Sequence, residues 1–279
     1  MIKQQKLKRI LLSTLISSIM IGCGGGGNST EGTSTQALQA QNISQNDTLA
    51  SEKLTADKEG KITTIKADGR VQGITASKDA LFLAEGADGV EIIKIGYSDT
   101  ISTELLSKIK DINAKQVSLS DNEKILYVED EAGYIQIINI SDLTHPKREG
   151  QTTKQKIDNA AISDNGTYKY IPRGKNGLEV VNISNPTALI ESTFNKSNAY
   201  DVVLADDDTK ALIATGPVGI NLLDITNPKQ VNNLANYRIR GSSVMGLSLN
   251  ADKDILFVAT GNKGVMVFNM EIMLNKLGY

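Results

Sequence analysis

One cysteine, one histidine and three aspartates at the heads of apolar segments are the residues of this chain whose types could do chemistry. Cys23 offers a thiol for acylation or attack, His145 a ring for general-base work, and Asp111, Asp158 and Asp201 carboxylates of the kind hydrolases place around a channel. A lone cysteine excludes a disulfide framework and a thiolate metal cluster, and a lone histidine excludes a multi-histidine metal site. His145 falls in a turn, where an exposed loop residue is expected. Acidic turns recur at Asp79, Asp121-Asn122-Glu123, Asp164-Asn165-Gly166, Asp206-Asp207-Asp208 and Asp252-Lys253-Asp254, and of these only the three consecutive aspartates suggest calcium. Calcium needs about six to eight converging oxygens, however, and successive turn residues point apart. Asp and Asn are ordinary turn formers. No serine nucleophile elbow, phosphate-cradling glycine loop or histidine-rich metal motif is present. No catalytic residue, metal or cofactor is assigned, and binding rather than catalysis is expected.

The first ten residues carry Lys3, Lys6, Lys8 and Arg9 with no acid, and an apolar run over residues 10–21 stops at Gly22-Cys23. This is a signal-peptide profile, too short for the ~20 apolar residues of a membrane span. Met20-Ile21-Gly22-Cys23 resembles the lipobox of bacterial lipoproteins, with methionine where leucine is usual. That resemblance implies cleavage after residue 22 and acylation of Cys23. Two or three acyl chains would anchor the protein stably, at ~0.8 kcal/mol per buried methylene. Gly24 rather than Asp follows the cysteine, which by the same resemblance favours the outer over the inner membrane. In residues 23–58 four glycines, Gly24 to Gly27, follow the cysteine and the stretch stays rich in Ser, Thr, Asn and Gln, the composition of a flexible linker reaching on the order of 30 Å.

The full chain has 30 basic and 32 acidic residues among 279. Loss of residues 1–22 leaves 26 basic against 32 acidic, a formal charge of −6. An acidic domain in a chain with only 4% aromatics is a poor partner for nucleic acid.

The remainder, residues 59–279, repeats itself. Two apolar residues, a polar one and another apolar one recur as Ile92-Ile93-Lys94-Ile95, Ile137-Ile138-Asn139-Ile140, Val180-Val181-Asn182-Ile183, Leu222-Leu223-Asp224-Ile225 and Val267-Phe268-Asn269-Met270. The steps between the polar residues are 45, 43, 42 and 45. Gly89, Gly177, Gly219 and Gly264 stand three residues ahead of four copies, whereas the second copy has Tyr134 in that slot and Gly133 one place earlier. A period of 40–45 β-branched-rich residues is a propeller blade. In the fourth copy, alternation and turn residues predict strands over 201–205, 210–215, 220–225 and 230–239.

The segments 177–186 and 219–228, Gly-Leu-Glu-Val-Val-Asn-Ile-Ser-Asn-Pro and Gly-Ile-Asn-Leu-Leu-Asp-Ile-Thr-Asn-Pro, resemble the LVIVD repeat of bacterial extracytoplasmic propeller-type proteins. Five copies span residues 69–279, but the first lacks the Ser-Asn-Pro ending and the last runs into a short helical or irregular tail. The resemblance implies architecture and compartment, and no catalytic residue. The fold expected is all-β, a propeller of five four-stranded blades. Residues 61–66 read as an orphan outer strand that closes the ring on the last blade, leaving no exposed edge.

Loops between blades, and between second and third strands, converge on one face of a propeller. There the chain offers Arg70, Asp111, Lys115, Tyr134, Asp158, Arg173, Lys175, Tyr200, Asp201 and Arg240 as a candidate binding face. Acids gather in its first two blades and bases in the third. The reading is a lipid-anchored module of the bacterial cell envelope, periplasmic or surface-exposed, that binds or scaffolds an envelope protein partner. Its rivals are an adhesin or glycan binder, for which Tyr134 and Tyr200 are the available aromatics, and a hydrolase using Asp111, Asp158 and Asp201.

Overall fold

In the computed structural model the described residues are 54–184, 187, 190–205 and 207–279. The signal segment 1–22, the acylation site Cys23 and the linker up to residue 53 lie outside them. The described residues form the five-blade propeller, each blade four antiparallel strands. After β1 (Lys61–Ile65), blade one contains β2 (Gly73–Ala76), β3 (Ala80–Ala84), β4 (Val90–Tyr97) and β5 (Ile101–Ile109). Blade two is β6 (Ala114–Leu119), β7 (Ile125–Asp130), β8 (Tyr134–Asn139) and β9 (Lys147–Lys154). Blade three is β10 (Ala161–Ile162), β11 (Tyr168–Pro172), β12 (Leu178–Asn182) and β13 (Ile190–Phe194). Blade four is β14 (Asp201–Ala205), β15 (Lys210–Ala214), β16 (Ile220–Asp224) and β17 (Asn232–Tyr237). Blade five is β18 (Gly246–Leu249), β19 (Ile255–Ala259), β20 (Val265–Asn269) and, as its outer strand, β1. The helix α1 (Met270–Lys276) ends the chain.

The repeat signature has a mechanical explanation. Its apolar pair fills the faces between blades, and its polar residue caps the turn that follows. Asn139, Asn182 and Asp224 each accept a hydrogen bond from the amide two residues on, at 3.0, 3.1 and 2.9 Å. Asn269 at the same place caps α1 by accepting from the Ile272 amide at 2.9 Å. Lys94 cannot accept, and there the strand runs on to Tyr97 and pairs with β5 instead of turning. Middle strands β3 and β19 are buried at every residue because a neighbouring blade covers each face.

The glycine of the signature is equally specific. Gly89, Gly177, Gly219 and Gly264 have φ of 92, 82, 109 and 77°, and a Cβ on any of them would strike the outer-strand carbonyl of Ile109, Phe194, Tyr237 or Ile65. In blade two Tyr134 occupies the slot, Gly133 takes the positive φ of 87° one residue early, and β9 slips register opposite Tyr134 and Gln136.

Ring closure is by β1, paired antiparallel with β20 from Lys61↔Phe268 to Ile65↔Val265. Packing begins ahead of residue 59, because Leu54 is buried in the cluster shared by blades five and one. The Asp57 carboxylate accepts from the Glu59 and Lys61 amides at 2.9 and 3.0 Å, and Glu59 pairs with Lys276 of α1 at 3.2 Å. The segment leaving β1 then crosses blade one beside a buried acid cluster. Lys108 on β5 lies 3.0 Å from Asp68, 2.9 Å from Glu91 and 3.5 Å from Glu85. Burial would lower the Lys108 pKa, but hydrogen bonds to Glu91 and Asp68 hold it above its usual value. Burial, reinforced by the Glu91 charge and opposed by Lys108, pushes the Glu85 carboxyl up to about 7. Among the described residues neither Glu85 oxygen has a hydrogen-bond partner.

Two outcomes follow from this closure. Removing residues 59–67 strips blade five of its outer strand and re-exposes the edge of β20; calorimetry should show a loss of melting temperature of ten degrees or more, and an unchanged transition would refute closure by β1. Glu85→Gln tests the acid cluster. Glu85 holds its proton more tightly in the folded than in the unfolded chain, so its stabilisation is complete below about pH 4.5 and lost as pH rises through about 7. The variant should match the parent at pH 5 and exceed it by on the order of 2 kcal/mol at pH 8 in urea titrations.

Candidate functional site

Four of the five junctions between blades are built alike. In the turn joining second and third strands, Gly86, Gly174, Gly216 and Gly261 have φ between 57 and 69°. This left-handed conformation points their backbone at the next blade. Gly86 exchanges two backbone hydrogen bonds with Ala114, at 2.7 and 2.8 Å. Gly174 does so with Ala199, at 2.7 and 2.9 Å, and Gly216 with Val244, both at 2.9 Å. Gly261 accepts from Val71 at 3.2 Å across the ring join. Behind each of these bridges a hydrophobic cluster spans the two blades.

The junction of blades two and three breaks the pattern. The turn there reads Asp130-Glu131-Ala132-Gly133-Tyr134, so Glu131 stands where the bridging glycine belongs and has no left-handed φ. The Glu131 amide turns back within its own blade, to the Asn113 carbonyl at 3.0 Å. Ile157, the counterpart of Ala114, Ala199 and Val244, therefore has no glycine carbonyl to meet. Its amide donates to Glu129 Oε2 at 2.8 Å, while Glu129 Oε1 meets Lys115 Nζ at 3.2 Å. Glu129 is buried at a position that is Ala84, Pro172, Ala214 or Ala259 in the other blades. No hydrophobic cluster joins blades two and three among the described residues. The inner strand β10 has two residues, and Ile162 on it is 52% exposed where its counterpart Leu204 is 5%.

A cleft of about 490 Å³ opens at this seam and runs to the mouth of the axial channel. One residue from each blade rims it at the same repeat position: Gln72, Lys115, Asp158, Tyr200 and Met245. Glu129, Lys156, Ile157, Asn159, Pro172 and Arg173 extend it along the seam. Asp158 pairs with Lys169 at 2.6 Å, and Arg173 pairs with Glu179 through Nε and Nη2 at 2.7 and 3.4 Å. Asn159, at φ 47°, donates to the Tyr200 carbonyl at 3.2 Å. The Tyr200 hydroxyl accepts from Asn198 at 3.2 Å.

Of the ten residues expected on a binding face, Lys115, Asp158, Arg173 and Tyr200 come together in this cleft. Asp201 lies one position deeper, where its carboxylate accepts from the Val202 amide and, across to blade five, from the Leu247 amide, both at 2.8 Å. Burial pushes its pKa up to about 8, against those two bonds. Asp111 faces a separate hollow and pairs with Arg148 at 3.0 Å. The three aspartates thus do not converge: Asp158 and Asp201 share the channel pocket, and Asp111 is outside it. Tyr134 carries the Lys154 ammonium over its ring at 5.7 Å. Arg70, Lys175 and Arg240 are exposed and outside the cleft. His145 is exposed and contacts Asp142 at 3.2 Å. Gln72, Glu129 and Lys156 were not among the ten. Glu129 had a signal in the sequence, since it is the acid at an otherwise small apolar position.

On the opposite face Lys253 of blade five reaches Asp164 of blade three at 2.9 Å and Asp208 of blade four at 4.0 Å. Asn122 and Asn165 accept from amides two residues on, which is turn geometry. Among the described residues no group of three or more His, Cys, Asp or Glu side chains is placed to hold a metal.

No curated protein matches the chain. A chain in the crystal structure of a mitotic checkpoint complex is similar to it in fold, with a TM-score of 0.54 at 10% identity, covering 77% of this chain and 96% of that one. The WD40 β-propeller domain of Doa1 aligns with a TM-score of 0.46 at 10% identity, over 76% and 96% of the two chains. Residues 113–153 and 158–194, which bracket the seam, match the LVIVD repeat model. The chain is a five-blade propeller carrying LVIVD repeats.

Proposed function

We propose that this protein is a lipid-anchored propeller of the bacterial cell envelope that binds or scaffolds another envelope protein, with the seam cleft as its capture site. The observation that carries this reading is the irregular junction of blades two and three. A repeat that supplies its own bridge four times, and replaces it once by a buried acid and an open cleft, departs from its structural pattern at one place. A propeller face presents rigid loops around such a cleft, which is how binding residues are commonly positioned. The anchor in this proposal is Cys23 with its acyl chains, and Gly24 after it favours the outer membrane. No helix among the described residues is long and apolar enough to cross a membrane.

Nothing in the cleft favours the rival readings. Tyr134 lies outside the cleft with a lysine over its ring, and Tyr200 is the one aromatic among the described residues that line it. The aspartates of a channel hydrolase are separately paired or buried on backbone amides.

Chemical crosslinking of the acylated protein in its own envelope should recover one recurring protein partner. Arg173→Ala with Lys175→Ala should lower that recovery several-fold, and undiminished recovery retires the face. Cys23→Ser should abolish palmitate incorporation and release the protein from the membrane fraction; continued sedimentation with membranes would remove the anchor from the proposal.

A further inference from the structure

The cleft has an imbalance of hydrogen-bonding groups. Its two acids are already engaged, Glu129 by Lys115 and the Ile157 amide, Asp158 by Lys169 and the Ala160 amide. Its donors are not. Lys156 is exposed and has no ion pair among the described residues. Lys115 has ammonium hydrogens beyond the one directed at Glu129, and Arg173 turns Nε and Nη2 to Glu179 while Nη1 has no hydrogen bond among the described residues. An occupant that carries acceptors would meet these remaining donors. With three cations against two acids, the cleft is a local positive site on an acidic protein.

We infer that the seam cleft takes the carboxylates of an acidic segment of the partner protein, with Lys156 and Arg173 as its principal contacts. This rests on the protein-binding reading above. Arg173 suits a planar carboxylate through the free edge of its guanidinium, and Lys156 supplies a second, movable charge. The cleft volume lies within the range of sites that enclose small ligands and side chains, about 300–1,000 Å³. Pro172, Met245 and Tyr200 give the aliphatic part of a Glu side chain apolar surface to lie on.

Fluorescein-labelled hexaglutamate, followed by anisotropy on the full chain, is the probe. Binding should fall with rising salt, hexaglutamine should not compete, and Lys156→Ala with Arg173→Gln should weaken binding at least tenfold. Lys78→Ala, on the opposite face, should leave binding unchanged. Equal competition by hexaglutamine, equal affinity for free citrate, or hexaglutamate binding untouched by the double variant overturns the assignment. The two readings fail separately. If the double variant still yields the recurring partner in the envelope crosslink, the carboxylate site falls and the scaffold stands. If the parent protein yields no recurring partner, the scaffold falls whatever hexaglutamate does.

Discussion

The backbone hydrogen bonds between a left-handed glycine and the head of the next inner strand, reciprocal at three junctions and single at a fourth, hold this ring in register. A blade buries both faces only against its neighbours, so no blade is stable alone. Apolar clusters provide most of the driving force but are indifferent to a slide of a few ångströms between blades. The glycine bridges set where each blade stops, because a backbone donor and acceptor at fixed positions admit one register. They also satisfy backbone groups that would otherwise be orphaned between packed sheets.

A ring made of repeats is its own control. Thr215 and Thr260 donate their hydroxyls to the Gly219 and Gly264 carbonyls at 2.8 Å, closing the turn from within. Glu85 and Arg173 occupy the same position in blades one and three, and their amides keep the same backbone bond, to Gly89 at 2.8 Å and Gly177 at 2.7 Å. The turn therefore tolerates loss of the hydroxyl, and the side chains in those two blades are released for other contacts. In blade one the result is a buried acid beside the ring closure. In blade three it is a guanidinium held by Glu179 at the edge of the cleft.

Much of this architecture is legible in the sequence because the signature residues act locally. An asparagine that caps its own turn acts two residues away, and Gly89, Gly177 and Gly219 lie under outer strands that follow within the same repeat, so most copies display the signature. The orphan strand at residues 61–66 is readable for the opposite reason: the last copy lacks a fourth strand, and a propeller leaves no edge unpaired. The cleft is only half legible. Lys115, Asp158 and Tyr200 share a repeat position, which alternation reveals. Asp201 sits next to that position and looks equally available, yet the pleat turns it inward to the Leu247 amide. The roles of Glu129 and Lys156 depend on what the neighbouring blade fails to supply, and that is a relation between residues 28 apart whose pairing no local pattern encodes.

The seam also explains why one buried carboxylate is retained among small apolar residues. With Glu131 unable to bridge, the Ile157 amide would lie unpaired between sheets, at a cost of roughly 1–3 kcal/mol. Glu129 fills that need, and Lys115 offsets its charge. At this junction a side-chain bridge stands in place of the glycine bridge, and the cleft opens beside it. Restoring glycine at position 131 would therefore not simply strengthen the ring: without removal of Glu129 the two bridges would compete for one amide, and with its removal the blades could close over the space that Lys156 and Arg173 now line.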